Sequence, residues 1–394
     1  MASHDGKAKK HVVIYAPASM MNSHLFSTAE LGELLAGHGL EVTVALGGRT
    51  DDEAAGSFAD GAAAAHPELS FRRLPSVTRP RDVPAHDYVA LTFDLVRASN
   101  SDLREFLRAA SPSPAALVLD FFGGSAVDVG AELGIPTYFF FTSSISGLAE
   151  LLYHPVIHER TTVSLRDLCG ERLHAPGIPG IPVEDLPAAY LDRDSLGNRL
   201  FLALSEQMCN SHGLIVNSFR SLEPRATDAI VSGLCTPPGR RTPPLHCVGP
   251  LMKLDAEPGA NRHECLAWLD AQPDASVVFL CFGTMGRFSA EQTGQVARGL
   301  EVSGQRFLWV VRRPPGEDGG GKPADPDLDA LLPDGFLART EGKGLVVRSW
   351  APQREVLAHV AVGGFVTHCG WNSVLEAIVG GVPMLAWPMY AKQR

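Results

Sequence analysis

The stretch HVVIYAPASMMNSHLFSTAELGELLAGHGLEVTVAL, residues 11–46, indicates the fold class. It begins with an apolar run (11–17), continues with apolar residues at helical spacing (25–39) that stop at a glycine, and closes on a second apolar run (40–46). Short apolar runs bounded by turn residues are typical of strands that are buried on both faces of a parallel sheet. The stretch therefore predicts a strand–helix–strand unit.

The same alternation recurs along the chain and is interrupted once, by a stretch rich in Pro and Gly at 235–262. Such a stretch is typical of a connection between domains. We predict an α/β protein of two Rossmann-like, doubly wound domains facing a cleft, with boundaries at 1–248, a linker at 249–262 and a second domain at 263–394. Further strands are predicted at 116–122, 136–141, 213–219, 276–283, 305–311, 344–350, 361–368 and 382–387.

Composition excludes several classes of partner. The chain of 394 residues has a formal net charge of -10 and no basic cluster, which argues against nucleic acid or an anionic membrane. Seven cysteines without C-x-x-C spacing indicate reduced thiols in a cytoplasmic protein. The polar start does not resemble a signal peptide, and Pro136 interrupts the longest uncharged run, so no membrane span is predicted.

Residues 350–393 carry the first chemical signal. A strand ends at His368 and a helix opens after it, so backbone N–H groups and the helix dipole form an anion site that needs no basic side chain. Asn372 and Ser373 add donors, and Glu376 lies one turn deeper, where a carboxylate can accept from two ribose hydroxyls. Each of these three residues also has a plainer interpretation: Asn372 and Ser373 as helix caps, and Glu376 as part of a solvated face.

Two residues of the same segment are suited to a nucleotide base. Trp350 follows a predicted strand and offers an indole face, and Gln353 offers an amide beside it. Trp350 can equally be a core residue. The whole combination predicts a nucleotide-diphosphate site.

The second chemical signal is a candidate base and its orienting group. His24 follows the first strand and Asp120 ends the strand ALVLD, so both are expected at the same edge of one sheet. Together they suit general base catalysis, with the carboxylate orienting the imidazole. The alternatives are a histidine at a helix start and an aspartate helix cap. Nearby aromatic residues either line an apolar acceptor pocket or belong to the core: Phe121, Phe122, Phe139, Phe140, Phe141 and Tyr190.

The segment 350–393 resembles the signature box of plant UDP-sugar-dependent glycosyltransferases, the plant secondary product family. CFGTMG (281–286), LLPDGFLART (331–340) and PTYFFFTSS (136–144) resemble the same family, in its branch acting on flavonoids and related phenols. The resemblance implies a GT-B fold, with UDP-glucose held by the C-terminal domain and a small phenolic acceptor by the N-terminal one. It also implies that His24 and Asp120 are the catalytic pair.

The resemblance assigns the remaining donor contacts by position. Trp350 stacks on uracil, Ala351 and Gln353 contact base and ribose, and Glu376 holds the ribose hydroxyls. The family has an acidic residue where this chain has Lys392, and a lysine can only donate hydrogen bonds to sugar hydroxyls. The resemblance also implies that the diphosphate is contacted by His368, Asn372 and Ser373, and the phosphate edge by Thr284. The residues that accompany glucose as the donor sugar are Trp371 and Gln393.

The predicted function is inverting transfer of glucose from UDP-glucose to a phenolic hydroxyl, giving a β-O-glucoside, by a monomeric cytoplasmic enzyme without a metal. Family members usually continue beyond the position of Arg394. The chain is therefore expected to be C-terminally truncated, and the alternative function is a catalytically silent UDP-sugar-binding remnant. A nucleotide-sugar epimerase is disfavoured by the plant-type box.

Overall fold

The computed structural model describes residues 9–18, 22–49, 53–78, 83, 87–252, 262–315 and 325–389. The chain divides into two compact units, Met1–Met252 and Lys253–Arg394. Each unit contains a parallel sheet with helices, so the predicted α/β fold of two Rossmann-like domains is confirmed.

The first unit is built on a seven-stranded parallel sheet. Its described strands are β1 (His11–Ala18), β2 (Glu41–Gly48), β3 (Ser70–Arg73), β4 (Ala116–Asp120), β5 (Thr137–Phe141), β6 (Arg172–Leu173), β7 (Ile181–Pro182), β8 (Gly213–Val216) and β9 (Leu245–Cys247). The sheet order is β3–β2–β1–β4–β5–β8–β9, and β6 and β7 form a separate antiparallel pair. The order reverses between β1 and β4, which are hydrogen-bonded neighbours.

Helices cover this sheet on both faces. They are α1 (Asn22–Gly37), α2 (Glu53–Ala65), α3 (Tyr88–Ala98), α4 (Asn100–Ala109), α5 (Val127–Leu133), α6 (Ile145–Arg160), α7 (Ala188–Leu191), α8 (Leu196–Cys209) and α9 (Pro224–Val231). Strand β1 shows why the opening apolar run is continuous: Val13 and Tyr15 pack into one apolar cluster, and Val12 and Ile14 into another. A strand buried on both faces needs apolar residues at every position.

The second unit repeats this arrangement with five strands. They are β10 (Val277–Cys281), β11 (Arg306–Val311), β12 (Gly344–Arg348), β13 (Val362–Thr367) and β14 (Met384–Ala386), in the order β12–β11–β10–β13–β14. All pairings are parallel, and the order reverses between β10 and β13. The helices are α10 (Glu264–Asp270), α11 (Ala290–Ser303), α12 (Leu328–Leu331), α13 (Phe336–Arg339), α14 (Gln353–Leu357) and α15 (Trp371–Gly380).

Several strands are shorter than predicted, and two of the differences have a structural explanation. The strand predicted at 116–122 ends at Asp120, because its side chain accepts a hydrogen bond from the Phe122 N–H (3.0 Å) and starts a 3₁₀ helix, Phe121–Ala126. Strand β14 has an apolar sequence, yet Met384 is 39% and Leu385 63% exposed. It lies at the edge of its sheet, where among the described residues only β13 pairs with it.

Among the residues that the structure describes, none of the helices is both long enough and apolar enough to cross a membrane.

Candidate functional site

His24 and Asp120 are brought together by the sheet order of the first unit. Helix α1, which carries His24, follows β1, and Asp120 is the last residue of β4. Because β1 and β4 are adjacent parallel strands, their carboxyl ends meet where the order reverses, a usual position for a ligand site. The His24 Nδ1 lies 2.8 Å from the Asp120 Oδ2, although 96 positions separate the two residues.

The hydrogen bonds of Asp120 assign a role to each nitrogen of the imidazole. Asp120 is fully buried, and its other oxygen, Oδ1, accepts from the Phe122 N–H. A carboxylate can only accept, so Nδ1 of His24 carries a proton, and in the neutral form of the ring the lone pair is on Nε2. The His24 side chain remains 15% exposed, and Thr142 Oγ1 lies 3.5 Å from Nδ1. An imidazole held in this way has the orientation that a general base requires.

Aromatic rings surround this base, but only some of them were expected. Phe121 and Phe122 lie 6.3 and 5.2 Å from the His24 ring, between centroids. Phe93 on α3 and Phe201 on α8 complete the group, at 5.7 Å each from Phe121. Sequence analysis missed Phe93 and Phe201, because no motif links their helices to the base.

The other predicted pocket residues are core residues. Phe139 and Phe140 are fully buried within β5, and Phe141 is 7% exposed. Tyr190 is also buried, and it packs edge-to-face on Phe201 with ring centroids 4.9 Å apart. The aromatic surface near His24 is therefore smaller than the sequence suggested, with Phe121 the half-buried ring.

In the second unit, the turn from β13 into α15 forms the candidate anion site. Cys369 adopts a left-handed conformation (φ 64°), which is uncommon for a residue with a side chain. Gly370 precedes α15 and provides no side-chain cap. A Cβ added at this position would lie 2.4 Å from the His368 Nε2, so a larger residue would clash with the imidazole. The backbone therefore packs directly on the imidazole, and the first N–H groups of α15 point toward the candidate anion site.

His368 is held as a neutral imidazole. The residue is 5% exposed, and burial, with a smaller effect of the Arg312 charge, lowers its pKa to about 4. At neutral pH it can donate a hydrogen bond but brings no positive charge. Arg312, directly after β11, supplies a positive charge near this position, and sequence analysis missed it because nothing in the strand marks it.

Gln353, Ser373 and Glu376 form one hydrogen-bonded group. The Gln353 Nε2 donates to Ser373 Oγ (2.9 Å) and to Glu376 Oε2 (2.5 Å). Glu376 Oε1 accepts from the Nε of Arg354 (3.1 Å), a contact that sequence analysis did not anticipate. A carboxylate has about four acceptor positions, so two remain for hydroxyl groups of a ligand.

Trp350 stands out as an exposed aromatic residue. Trp350 is 60% exposed. The ring of His263 packs against its indole edge-to-face, with ring centroids 5.8 Å apart. Ser349 before it has φ 61°, and the Trp350 N–H bonds back to the Arg348 carbonyl at 2.6 Å, which makes a tight turn after β12. The core interpretation of Trp350 is therefore wrong, and its indole face is open to a planar ligand.

The remaining predicted donor residues lie around the same strand ends. Ala351 is buried, Thr284 is exposed in the turn after β10, and Trp371 and Asn372 are half-buried in the first turn of α15. Lys392 and Gln393 lie outside the described residues.

Comparison with known proteins gives consistent matches. A family model described as UDP-glucoronosyl and UDP-glucosyl transferase matches residues 241–394. UDP-glycosyltransferase 1 of Pueraria montana var. lobata is 43% identical over 402 residues, with 98% of this chain and 83% of the relative covered. Anthocyanidin 5,3-O-glucosyltransferase of a Rosa hybrid cultivar is 44% identical, with 94% and 80% covered.

Solved structures agree with these relatives. A UDP-glucosyltransferase from Polygonum tinctorium that glucosylates indoxyl, in complex with 3,4-dichloroaniline, superposes with a TM-score of 0.85 at 35% identity, covering 98% of this chain and 81% of that one. Phytolacca americana UGT2 with UDP-2fluoro-glucose and pterostilbene gives 0.80 at 33% identity, covering 98% and 82%. The two parallel-sheet units and the strand-end sites thus define a glycosyltransferase of the GT-B class. The chain belongs to the plant UDP-glycosyltransferase family.

Proposed function

We propose that this enzyme transfers glucose from UDP-glucose to a phenolic hydroxyl and inverts the anomeric centre, giving a β-O-glucoside. The observation that carries the proposal is the 2.8 Å hydrogen bond between His24 Nδ1 and the buried Asp120 carboxylate. This hydrogen bond leaves Nε2 as the basic atom, beside the half-buried ring of Phe121, which suits a planar acceptor. Relatives named for glucosyl transfer to anthocyanidin and phloretin support the phenolic class.

The chemistry requires proton transfer to accompany attack. The pKa of a phenol is near 10 and the reference pKa of a histidine is about 6.5. Moving the proton before the attack would therefore cost about 3.5 pKa units, or roughly 5 kcal/mol. His24 therefore takes the proton as the phenolic oxygen bonds to the anomeric carbon, while the bond from that carbon to the diphosphate oxygen breaks and UDP leaves. Attack opposite the leaving group inverts the α-linked donor to a β-glucoside.

The second unit is proposed to bind the donor. The exposed indole of Trp350 would stack on uracil, and the two remaining acceptor positions of Glu376 would receive the ribose hydroxyls. The start of α15 would bind the diphosphate through backbone N–H groups. Because His368 is neutral, the negative charge on the departing UDP would be stabilised by the start of α15 and by the positive charge of Arg312. A cytoplasmic location and a monomeric state stay predictions.

The test is incubation of the purified chain with UDP-glucose and a panel of flavonoids and simple phenols, followed by mass spectrometry. We expect addition of one hexose with release of UDP, a β linkage in the NMR spectrum of the product, and loss of transfer in His24→Ala. His38→Ala, which removes an exposed histidine just beyond the same helix, is the matched control. UDP binding without transfer to any phenol would contradict the proposal and favour the binding-only alternative.

A further inference from the structure

Three side chains that the transfer reaction does not use converge at one end of the first unit. Glu33 lies on α1, His66 directly follows α2, and Glu68 lies two positions before β3. One candidate ligand atom of each lies within 4.8 Å of the other two. The group is therefore assembled from two segments of the chain, α1 and the turn between α2 and β3.

The contacts of His66 do not resemble an ordinary hydrogen bond. Its Nδ1 lies 3.2 Å from Glu33 Oε2 and 3.4 Å from Glu68 Oε1. The residue is only 6% exposed, yet Nδ1 makes no hydrogen bond of acceptable geometry with either oxygen. A buried ring nitrogen that lies close to two carboxylates without a well-formed hydrogen bond requires an explanation, and a cation shared by the three groups would provide one.

The spacing and the donor types indicate zinc. Two ligands of a tetrahedral zinc ion, each at about 2.0 to 2.2 Å, lie about 3.3 to 3.6 Å apart, close to the two measured separations. An imidazole nitrogen combined with carboxylates suits Zn²⁺, whereas Mg²⁺ and Ca²⁺ prefer oxygen alone. A water molecule would complete the coordination.

The 66–69 turn packs closely on α1. A Cβ added at Gly32 would lie 2.8 Å from a methyl carbon of the Leu69 side chain, so the leucine fills the space left by the glycine. The turn is closed by the Leu69 N–H donating to the His66 carbonyl at 3.1 Å. This packing and the turn bring Glu33 of α1 and Glu68 to the same side of His66.

We propose that Glu33, His66 and Glu68 form a structural zinc site that ties α1 to the turn between α2 and β3. Helix α1 also carries His24, nine residues before Glu33 and so about 13 to 14 Å away along the helix. The metal would stabilise the helix that presents the base without taking part in the transfer. This inference stands on the triad alone and does not depend on the proposed function.

The test is titration of the full-length, EDTA-treated chain with Zn²⁺ by calorimetry, with thermal unfolding measured in parallel. We expect one tight site per chain and a rise in unfolding temperature with added zinc. Glu33→Gln and Glu68→Gln should each weaken the affinity at least tenfold; both side chains are partly exposed, so the variants should fold.

His359→Gln provides the matched control, because His359 pairs with a single carboxylate, Asp270, at 3.1 Å. It should leave the tight site unchanged. Absence of saturable zinc binding would overturn the proposal and leave the triad as an ion pair. Equal affinity in the Glu33→Gln/Glu68→Gln double variant would also overturn it, because the metal would then be held elsewhere, for example by cysteines.

Discussion

Asp120 has two separate tasks, one for each carboxylate oxygen. Oδ1 accepts from the Phe122 N–H and ends β4, while Oδ2 orients His24. In Asp120→Asn the amide oxygen can still cap the 3₁₀ helix, but the NH₂ group can only donate to Nδ1 and would favour the wrong tautomer. We expect the rate constant kcat to fall by about 10²- to 10⁴-fold.

The measurement is steady-state kinetics with a phenolic acceptor at several pH values. Thermal unfolding should change little, which separates loss of orientation from loss of fold. Thr142→Val removes only the 3.5 Å contact to Nδ1 and serves as the control, with an expected effect below tenfold. Unchanged kcat in Asp120→Asn would show that the carboxylate does not set the tautomer.

Gly370 is required by the close approach of the backbone to His368. A methyl group at this position would lie 2.4 Å from Nε2, so Gly370→Ala must displace the imidazole or the start of α15. We expect UDP to bind at least tenfold more weakly by calorimetry, because the diphosphate site depends on that turn. Gly364→Ala in β13 is the control, since nothing lies within 4 Å of its added Cβ. Equal affinity in both variants would exclude this turn from the donor site.

Helix α6 buries two titratable side chains whose effects on stability oppose each other. Burial raises the pKa of Glu150 from 4.5 to about 8, so the stability from its neutral form is lost as pH rises through 8. Burial lowers the pKa of His154 from 6.5 to about 4, so the stability from the neutral imidazole is lost as pH falls through 4. Between about pH 4.5 and 6.5 the two contributions to the pH dependence of the unfolding free energy cancel. Above pH 6.5 only Glu150 contributes.

We therefore expect the free energy of unfolding to fall by about 1 to 2 kcal/mol between pH 6.5 and 8. Urea unfolding at the two pH values measures it. Glu150→Gln mimics the neutral carboxyl and should abolish most of the fall, whereas Glu159→Gln, at an exposed position of the same helix, should not. A fall that persists in Glu150→Gln would assign it to another group.

The whole chain contains two units with cores of their own. Apolar clusters around β1 and β5 belong to the first unit, and those around β10 and β11 to the second. If the donor binds the second unit, UDP at about a hundred times its Kd should stabilise that unit by about 2.7 kcal/mol. Differential scanning calorimetry should then show a larger shift in the transition of the second unit than in that of the first. Gly370→Ala should reduce this shift, and an equal shift of both transitions would contradict the assignment.

The sequence by itself determined most of the alternation of strands and helices, the two α/β units and the chemical character of 350–393, but it did not predict the short strands β3, β6, β7 and β9. These features are local, because the period of apolar residues and the glycines at turns are encoded over a few residues at a time. Trp350, Gln353, Ser373 and Glu376 were predicted for the same reason, since they lie near strand ends and on the first turns of helices whose positions the pattern already gives.

Only the tertiary structure decided which distant residues meet and in which protonation state. The 2.8 Å contact of His24 with Asp120 depends on β1 lying beside β4, and the placement of Phe201 beside Phe121 on the docking of α8. The neutrality of His368 follows from its burial, and the grouping of His66 with two glutamates from the close contact at Gly32. Distances through space and local polarity arise from packing between segments far apart in sequence, and no local pattern contains them.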